Sequence, residues 1–314
     1  MENFKSEIAM EMTHSHLGDR FMAHNIPVHH ILKHTKAISD TKRTQVANLQ
    51  NHIQQILNGT HDTFLQGSYK NDTSIADIND VDIVAVREST YSSTHSDLVF
   101  TEKISWDSIF SEIEDKLNNQ SLYEWTVERA DKCIEVRTPT FKADVVPAVR
   151  VHQDTETDPV VIYSFKATEE RMNSPRTHYL NGVLKHAMTN QNYKPMVRMF
   201  KNWVVNHFVD SDVVSSYQME SLVHSAPDEC FSSDHVHSFI LIGAHIIKLL
   251  KQRDVIPLVI NSVCGSEDIT KNWDIGNRQL FRDTLSESLI HAIDAYQAPS
   301  VPVAERYWSN AFNL

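Results

Sequence analysis

Asp80 and Asp82 stand two residues apart at the head of the β-branched run Ile83-Val84-Ala85-Val86, twelve residues after Ser68. In a strand, residues i and i+2 share a face, so these two carboxylates project together while Val81 and Ile83 face the other way. Such a pair suits a hard cation, because Mg²⁺ takes a few carboxylates and fills the rest of its shell with water and substrate phosphates. Upstream, Gln66-Gly67-Ser68 follows a short apolar run, so that Phe64 to Val86 reads as strand, tight turn, polar loop, strand. A glycine there lets the backbone approach a phosphate closely, and the Ser68 hydroxyl and neighbouring N–H groups can donate to its oxygens. Either feature alone fits a hairpin with an acidic loop. Together, in this order, they favour a cation with a phosphate beside it.

A third acid sits downstream. In the run Phe141 to Val149, FKADVVPAV, Asp144 is surrounded by Phe141, Ala143, Val145 and Val146. A carboxylate in so apolar a strand is costly to bury unless it is paired or bound to metal. Alone it reads equally as a salt-bridged structural aspartate; beside the earlier pair it becomes the candidate third ligand. This run and Lys132 to Arg137, KCIEVR, are separated by Thr138-Pro139-Thr140 and predict a hairpin, with Pro147 ending regular pairing.

The elements that must position these acids are legible in part. Val46, Leu49, Ile53 and Ile56 or Leu57 recur at helical spacing from Thr41 onward, with Gly59 where a left-handed cap would stand. Ser105 to Asn118 is a second amphipathic helix, capped by Ser105 and striped by Trp106, Ile109, Phe110, Ile113 and Leu117. Between them, Ser89 to Asp97 reads as a hydroxyl-rich loop, and residues 1–40 hold a helix or two at unassigned positions. Beyond about Val160 strand signals fade. Ser174-Pro175 opens a helix with Tyr179, Leu180, Val183, Leu184 and Ala187 on one face. The next, from near Pro195, carries Arg198 and Lys201 on one face and Met199, Phe200, Trp203 and Val204 for a core. Ser215-Ser216-Tyr217-Gln218-Met219-Glu220 starts another, whose serines cap free N–H groups at an end that also attracts anions. From the residues alone, Arg198 and Lys201 are solvated edge cations or part of a phosphate clamp. An apolar helix from about His235 to Lys251 and a closing helix from near Gln279 to Tyr296 complete the chain.

Composition narrows the classes. With 314 residues, 41% hydrophobic and 22% charged, the chain is an ordinary globular sequence of one large domain or two lobes. A net charge of −12 argues against an obligate grip on duplex DNA or RNA and leaves small anionic substrates held through a metal. The N-terminus lacks the apolar run of a signal peptide, and Phe239 to Leu250 is too short to span a bilayer, so a cytoplasmic protein without membrane contact is expected. Cys133, Cys230 and Cys264 form no CxxC pairing. The 18 histidines, His29-His30 and His235/His237 included, show no zinc-site spacing and receive no role.

Taken together, Gly67-Ser68, Asp80-Val81-Asp82, the strand Ala143-Asp144-Val145-Val146-Pro147-Ala148, Arg198-x-x-Lys201-Asn202-Trp203 and Ser215-Ser216-Tyr217-x-x-Glu220 resemble the polymerase-β-like nucleotidyltransferases. More narrowly, they are similar to the bacterial cGAS/DncV-like branch that makes cyclic oligonucleotide signals in anti-phage defence. The resemblance covers roughly Phe64 to Glu220. It implies an α+β fold: a nucleotidyltransferase lobe with a mixed twisted sheet and flanking helices over 1–160, a helical lobe over 161–314, and an active site in the cleft between them. It implies that Asp80, Asp82 and Asp144 are catalytic and bind two Mg²⁺ ions, with Mn²⁺ as a substitute. Gln66, Gly67, Ser68, Arg198, Lys201 and Ser216 would bind the nucleotide, chiefly its triphosphate, and Tyr217 would stack on the base. The implied substrates are ATP and other NTPs, and the implied partners are regulatory or effector proteins of a defence system. The implied product is a cyclic di- or trinucleotide, released with pyrophosphate. Transfer of a nucleotide to RNA, protein or a small molecule, or a non-catalytic nucleotide sensor, are the competing readings.

Overall fold

The structure, a computed structural model, describes residues 24–75, 80–96, 104–120, 124–154, 158–209 and 212–314. The chain divides into two compact units, Ile38–Leu180 and Met1–Ala37 with Asn181–Leu314.

In the Ile38–Leu180 unit, helix α2 (Asp40–Leu57) leads into β1 (His61–Gln66), the one-turn helix α3 (Gly67–Asn71) and β2 (Asp80–Tyr91). Helix α4 (Trp106–Asn119), β3 (Thr126–Arg129), β4 (Ile134–Arg137), β5 (Lys142–Arg150), β6 (Val160–Ser164) and β7 (Glu169–Asn173) follow. The seven strands form one mixed sheet in the order β1-β2-β5-β4-β3, with β6 and β7 continuing from β5. Only β2 and β5 run parallel. Every other pair is antiparallel.

The pattern of alternate residues decides which face is covered. Val81 and Ile83 of β2, Ala143 and Val145 of β5, and Ile134 and Val136 of β4 are fully buried. They pack with Val46, Leu49, Ile53 and Leu57 of α2 and Phe110, Ile113 and Leu117 of α4. Each such aliphatic or aromatic burial contributes about 1.5–3 kcal/mol, so this face fixes the strand register and sends the intervening residues to the opposite face. The Ser39 and Ser105 side chains cap α2 and α4 by accepting from Lys42 N and Ser108 N.

Three sequence expectations change here. β2 continues through Ser89 and Thr90 to Tyr91 where a loop is expected from Ser89; Asp97, the end of that segment, lies outside the described residues. Strands also continue past Val160: β6 and β7 form a hairpin that α4 helps hold, with Trp106 stacked on Tyr163 at 5.4 Å and Trp106 Nε1 donating to Glu170 Oε1 at 2.9 Å. The charged, largely exposed sequence of β7 hides it from an apolar-run reading, whereas β6, VVIYS, is a short apolar run. The compact unit that holds this hairpin runs from Ile38 to Leu180. Pro147 does not end pairing. β4 pairs with β5 up to Val145 and β6 takes over at Ala148, so Pro147 falls at the handover, where its missing N–H costs no bond on that edge.

The other unit is helical: α1 (Val28–Thr35), the end of α5 (Pro175–Met188), α6 (Tyr193–His207), α7 (Ser216–His224), α8 (His235–Val255), α9 (Ile275–Tyr296) and α10 (Val301–Ala311). Its core gathers Phe200, Trp203, Phe239, Phe281, Trp308 and Phe312. The buried Trp203 indole keeps its hydrogen bond by donating to Ser288 Oγ at 2.9 Å. The expected apolar face of α5 stays largely uncovered, with Leu180, Val183 and Leu184 exposed. No helix among the described residues is long and apolar enough to cross a membrane.

Candidate active site

Two rows of polar residues cross one end of the sheet face opposite α2 and α4, and further along that face Val84, Val86 and Ala148 are buried. In the first, Gln66 of β1 lies opposite Asp82 of β2, Asp82 beside Asp144 of β5, and Asp144 opposite Glu135 of β4. In the second, one step along the same face, Asp80 lies beside Lys142 and Lys142 opposite Arg137. Asp80 is exposed and Asp82 and Asp144 are half-buried, whereas Val81, Ala143 and Val145 on the reverse face are inaccessible. The parallel β2/β5 register therefore brings together the three expected aspartates, which lie 62 residues apart between Asp82 and Asp144 in sequence.

Gly67 brings the backbone onto this row. Its φ is +67°, and a Cβ built there would stand 2.2 Å from Asp82 Oδ2 and 3.1 Å from Asp82 Cγ. Only glycine tolerates both the left-handed backbone and so close an approach. The turn is closed by Asp72, itself left-handed, whose N–H donates to Ser68 O and Tyr69 O. Arg43 of α2 holds Asp72 at 2.5 Å and so ties the turn to the helix behind the sheet. Ser68 is half-buried on this turn, and the Gln66 side chain accepts from Asn173 Nδ2 at 3.1 Å.

Around Asp144 the charges alternate. Lys142 Nζ lies 3.2 Å from Asp144 Oδ1 and 3.3 Å from Glu135 Oε1. Burial would lower the Lys142 pKa, but the Asp144 and Glu135 carboxylates outweigh it and hold the ammonium above its ordinary range. Asp144 Oδ1 is nevertheless inaccessible to water and has no hydrogen bond of proper geometry. Beneath, burial first and the same two carboxylates second push the Cys133 thiol up to about 12, so it stays neutral. A carboxylate oxygen removed from water and met by an ammonium without a directed hydrogen bond, next to a glycine turn set against a second carboxylate, fits a hard divalent cation with phosphate oxygens.

The remaining expected residues lie in the helical unit. Lys201 is 4% exposed and its ammonium pairs with Glu220 Oε2 at 2.8 Å, joining α6 to α7. Arg198 is 6% exposed and donates from Nε to Thr35 O at 2.7 Å, tying α6 to the end of α1. Both cations are thus buried rather than solvated. Ser216 is exposed at the first turn of α7, behind a capping box made by Ser215 and Gln218. Tyr217 is 37% exposed, its hydroxyl 3.7 Å from Cys264 Sγ, and burial raises its pKa. Burial alone would raise the Cys264 pKa too, but hydrogen bonds from Ser262, Ser266 and Tyr217 bring it below the ordinary value.

Sequence reasoning missed Lys142, which the two-residue period of β5 already sets on the face of Asp144, and Glu135, which only strand pairing places beside it. It also assigned no role to His29 and His30. With Glu305 of α10 they form a group whose ligand atoms lie within 4.8 Å of one another and could hold a metal ion. Two imidazoles and a carboxylate suit a zinc-like ion rather than Mg²⁺. The oxygens of Asp80, Asp82 and Asp144 are not gathered within that distance of one another.

Comparison with known proteins identifies the architecture. The cGAS/DncV-like nucleotidyltransferase C-terminal helical domain matches residues 180–289. A cyclic nucleotide synthase, CdnE01, of Staphylococcus haemolyticus is 30% identical over 229 residues, covering 60% of this chain and 74% of that protein. The cyclic UMP-AMP synthase of Rhodothermus marinus is 30% identical over 217 residues, covering 63% and 73%. In structure, the R. marinus CdnE c-UMP-AMP synthase with Apcpp and Upnpp superposes with a TM-score of 0.66 at 23% identity, over 84% of this chain and 96% of that one. A CdnE cyclic dinucleotide synthase of Elizabethkingia meningoseptica with GTP and Apcpp gives 0.66 at 24% identity, over 87% and 99%. The mixed sheet with flanking helices and the helical unit are the polymerase-β-like nucleotidyltransferase fold. The chain belongs to the cGAS/DncV-like nucleotidyltransferase family.

Proposed function

We propose that this protein joins ATP or other NTPs into a cyclic di- or trinucleotide with release of pyrophosphate, a signal of the kind used in bacterial anti-phage defence. The observation that carries the reading is the register that sets Asp82 beside Asp144, with the Gly67 backbone against Asp82 and a water-excluded oxygen on Asp144 whose ion pair with Lys142 lacks hydrogen-bond geometry. Asp80, Asp82 and Asp144 hold the divalent cations, Mg²⁺ or Mn²⁺. When bound, two such ions neutralise charge on the entering and leaving oxygens of an in-line displacement at the α-phosphorus. The chain's own contribution is positioning. Gly67 admits the triphosphate close to the strand, the Ser68 hydroxyl and turn N–H groups donate to it, and Gln66 borders it.

In the helical unit, Ser216 offers a hydroxyl at the start of α7 and Tyr217 a ring face for the base. Lys201, its charge balanced by Glu220, and Arg198, bonded to Thr35 O, fix α6 against α7 and α1 and so hold the helix that would face the triphosphate. A free 2′- or 3′-hydroxyl attacks the α-phosphorus of a second nucleotide, and the same step repeated within the linear intermediate closes the ring.

The test is incubation with each α-³²P-labelled NTP in the four-NTP mixture with Mg²⁺ or Mn²⁺, then phosphatase treatment and separation. A phosphatase-resistant product lost in Asp82→Asn is expected. Label transferred to RNA or protein, with no resistant product, would replace this reading by transfer to another acceptor.

A further inference from the structure

The Lys142 ammonium touches an expected metal ligand on this face, and it does so through a geometry with two acceptors. Its Nζ lies 3.2 Å from Asp144 Oδ1 and 3.3 Å from Glu135 Oε1. Lys142 and Asp144 are two apart on β5, so they share a face, and Glu135 is the cross-strand neighbour of Asp144 on β4. The three side chains are partly accessible, at 28% for Lys142, 26% for Asp144 and 19% for Glu135, which leaves the long lysine stem room to turn. Contact with Asp144 Oδ1 is made without hydrogen-bond geometry, so the ammonium is held there by charge rather than by a directed bond.

An ammonium 3.2 Å from Asp144 Oδ1 repels a divalent cation drawn to the same carboxylate, so binding of the cation favours displacement of the lysine. We propose that Lys142 is a built-in competitor of the divalent cation for Asp144, and that Glu135 is the acceptor that takes the lysine when the cation binds. The inference rests on the reading of Asp80, Asp82 and Asp144 as metal ligands. It adds a regulatory consequence: the site's affinity for free cation is set below what its carboxylates alone would give, so occupancy depends on the triphosphate that arrives with its own cation. Lys142 is a positioning residue in this scheme and touches no reacting atom.

General electrostatics also predicts that removing a nearby positive charge tightens cation binding, so the decisive quantity is the coupling between Lys142 and Glu135. With Lys142 present, Glu135→Gln leaves the ammonium on Asp144 alone and strengthens its competition. With Lys142→Met there is no ammonium to hand over, and Glu135→Gln loses most of its effect.

The experiment measures Mn²⁺ binding to the full-length protein without nucleotide, by titration calorimetry or electron paramagnetic resonance of free Mn²⁺. Lys142→Met should tighten binding about three- to tenfold, as expected for removing a partly exposed ion pair, and Lys142→Arg should stay near wild type. Glu135→Gln should weaken binding about threefold alone and much less in the Lys142→Met background. Unchanged binding in Lys142→Met, or additive effects in the double variant, overturns the competition while leaving the metal site in place. With the His29, His30 and Glu305 group disabled by His30→Ala in every variant, Mn²⁺ binding that survives Asp82→Asn at undiminished affinity overturns the metal assignment itself, and the competition with it. Far-ultraviolet circular dichroism of each variant separates either result from loss of fold.

Discussion

Gly67→Ala is the most informative single change on the sheet face. Alanine at a φ of +67° costs roughly 1–2 kcal/mol in backbone strain wherever it occurs. The second effect is local: the new methyl would stand 2.2 Å from Asp82 Oδ2, about 1 Å short of ordinary contact, with Asp82 Cγ at 3.1 Å and Cβ at 3.4 Å closing the alternatives. Asp82 is anchored in β2 between β1 and β5, so its carboxylate, not the strand, must give way. Displacing a reacting constellation by about 1 Å costs on the order of a hundredfold in rate. The variant should therefore fold with slightly reduced stability and lose about two orders of magnitude in kcat at saturating NTP and Mg²⁺, with a raised Mg²⁺ requirement. Initial rates of product formation, paired with urea unfolding, measure both. A rate within threefold of wild type in a folded variant would refute the argument that Gly67 is glycine because Asp82 must lie against it.

Three further outcomes follow from other parts of the molecule. Tyr217→Ala should raise the NTP KM severalfold with a small change in stability, while Tyr217→Phe keeps the ring and stays near wild type; equal KM values in all three would remove the stacking role. Glu220→Gln leaves the Lys201 ammonium buried without its charge partner and should destabilise the helical unit by about 3–5 kcal/mol, whereas Lys201→Met with Glu220→Leu should recover much of that loss; urea midpoints decide. Burial lowers the pKa of His34 to about 3 and of His61 to about 4 from an ordinary 6.5. The unfolded imidazoles take a proton near pH 6.5 and the folded ones do not. Stability is therefore full above that pH and falls towards pH 4, by about 1.4 kcal/mol per pH unit for each histidine; a flat urea midpoint between pH 7.5 and 5 would contradict it.

The chemistry of the sheet face was readable because it is local. Asp80 and Asp82 share a face by the two-residue period of a strand, and the buried partners Val81 and Ile83 confirm which face that is. The case for Asp144 required only that a carboxylate in an apolar strand needs a reason. Of its neighbours, Lys142 was within reach of the same two-residue period, whereas Glu135 looks like an ordinary charged strand residue until pairing across β4 and β5 sets it against Asp144. Similarly, Arg198 and Lys201 sit at helical spacing as edge cations do, and only the packing of α1 and α7 buries them on Thr35 and Glu220. His30 meets Glu305 across 275 residues, a distance no local pattern spans. The β6/β7 hairpin escaped notice because Glu169-Glu170-Arg171-Met172-Asn173 carries little apolar signal and is held by Trp106 from another element.

The central claim is that the aspartate row of β2 and β5 makes a ring of nucleotides. High-resolution mass spectrometry of the products from mixed NTPs and Mg²⁺ tests it most directly, because closing the ring leaves no terminal phosphate and removes one water relative to the linear monophosphate. The account predicts a mass equal to a whole number of nucleotide residues with nothing added, absent in Asp82→Asn. Linear triphosphate-bearing products alone, or a cyclic product that persists in Asp82→Asn, would contradict it.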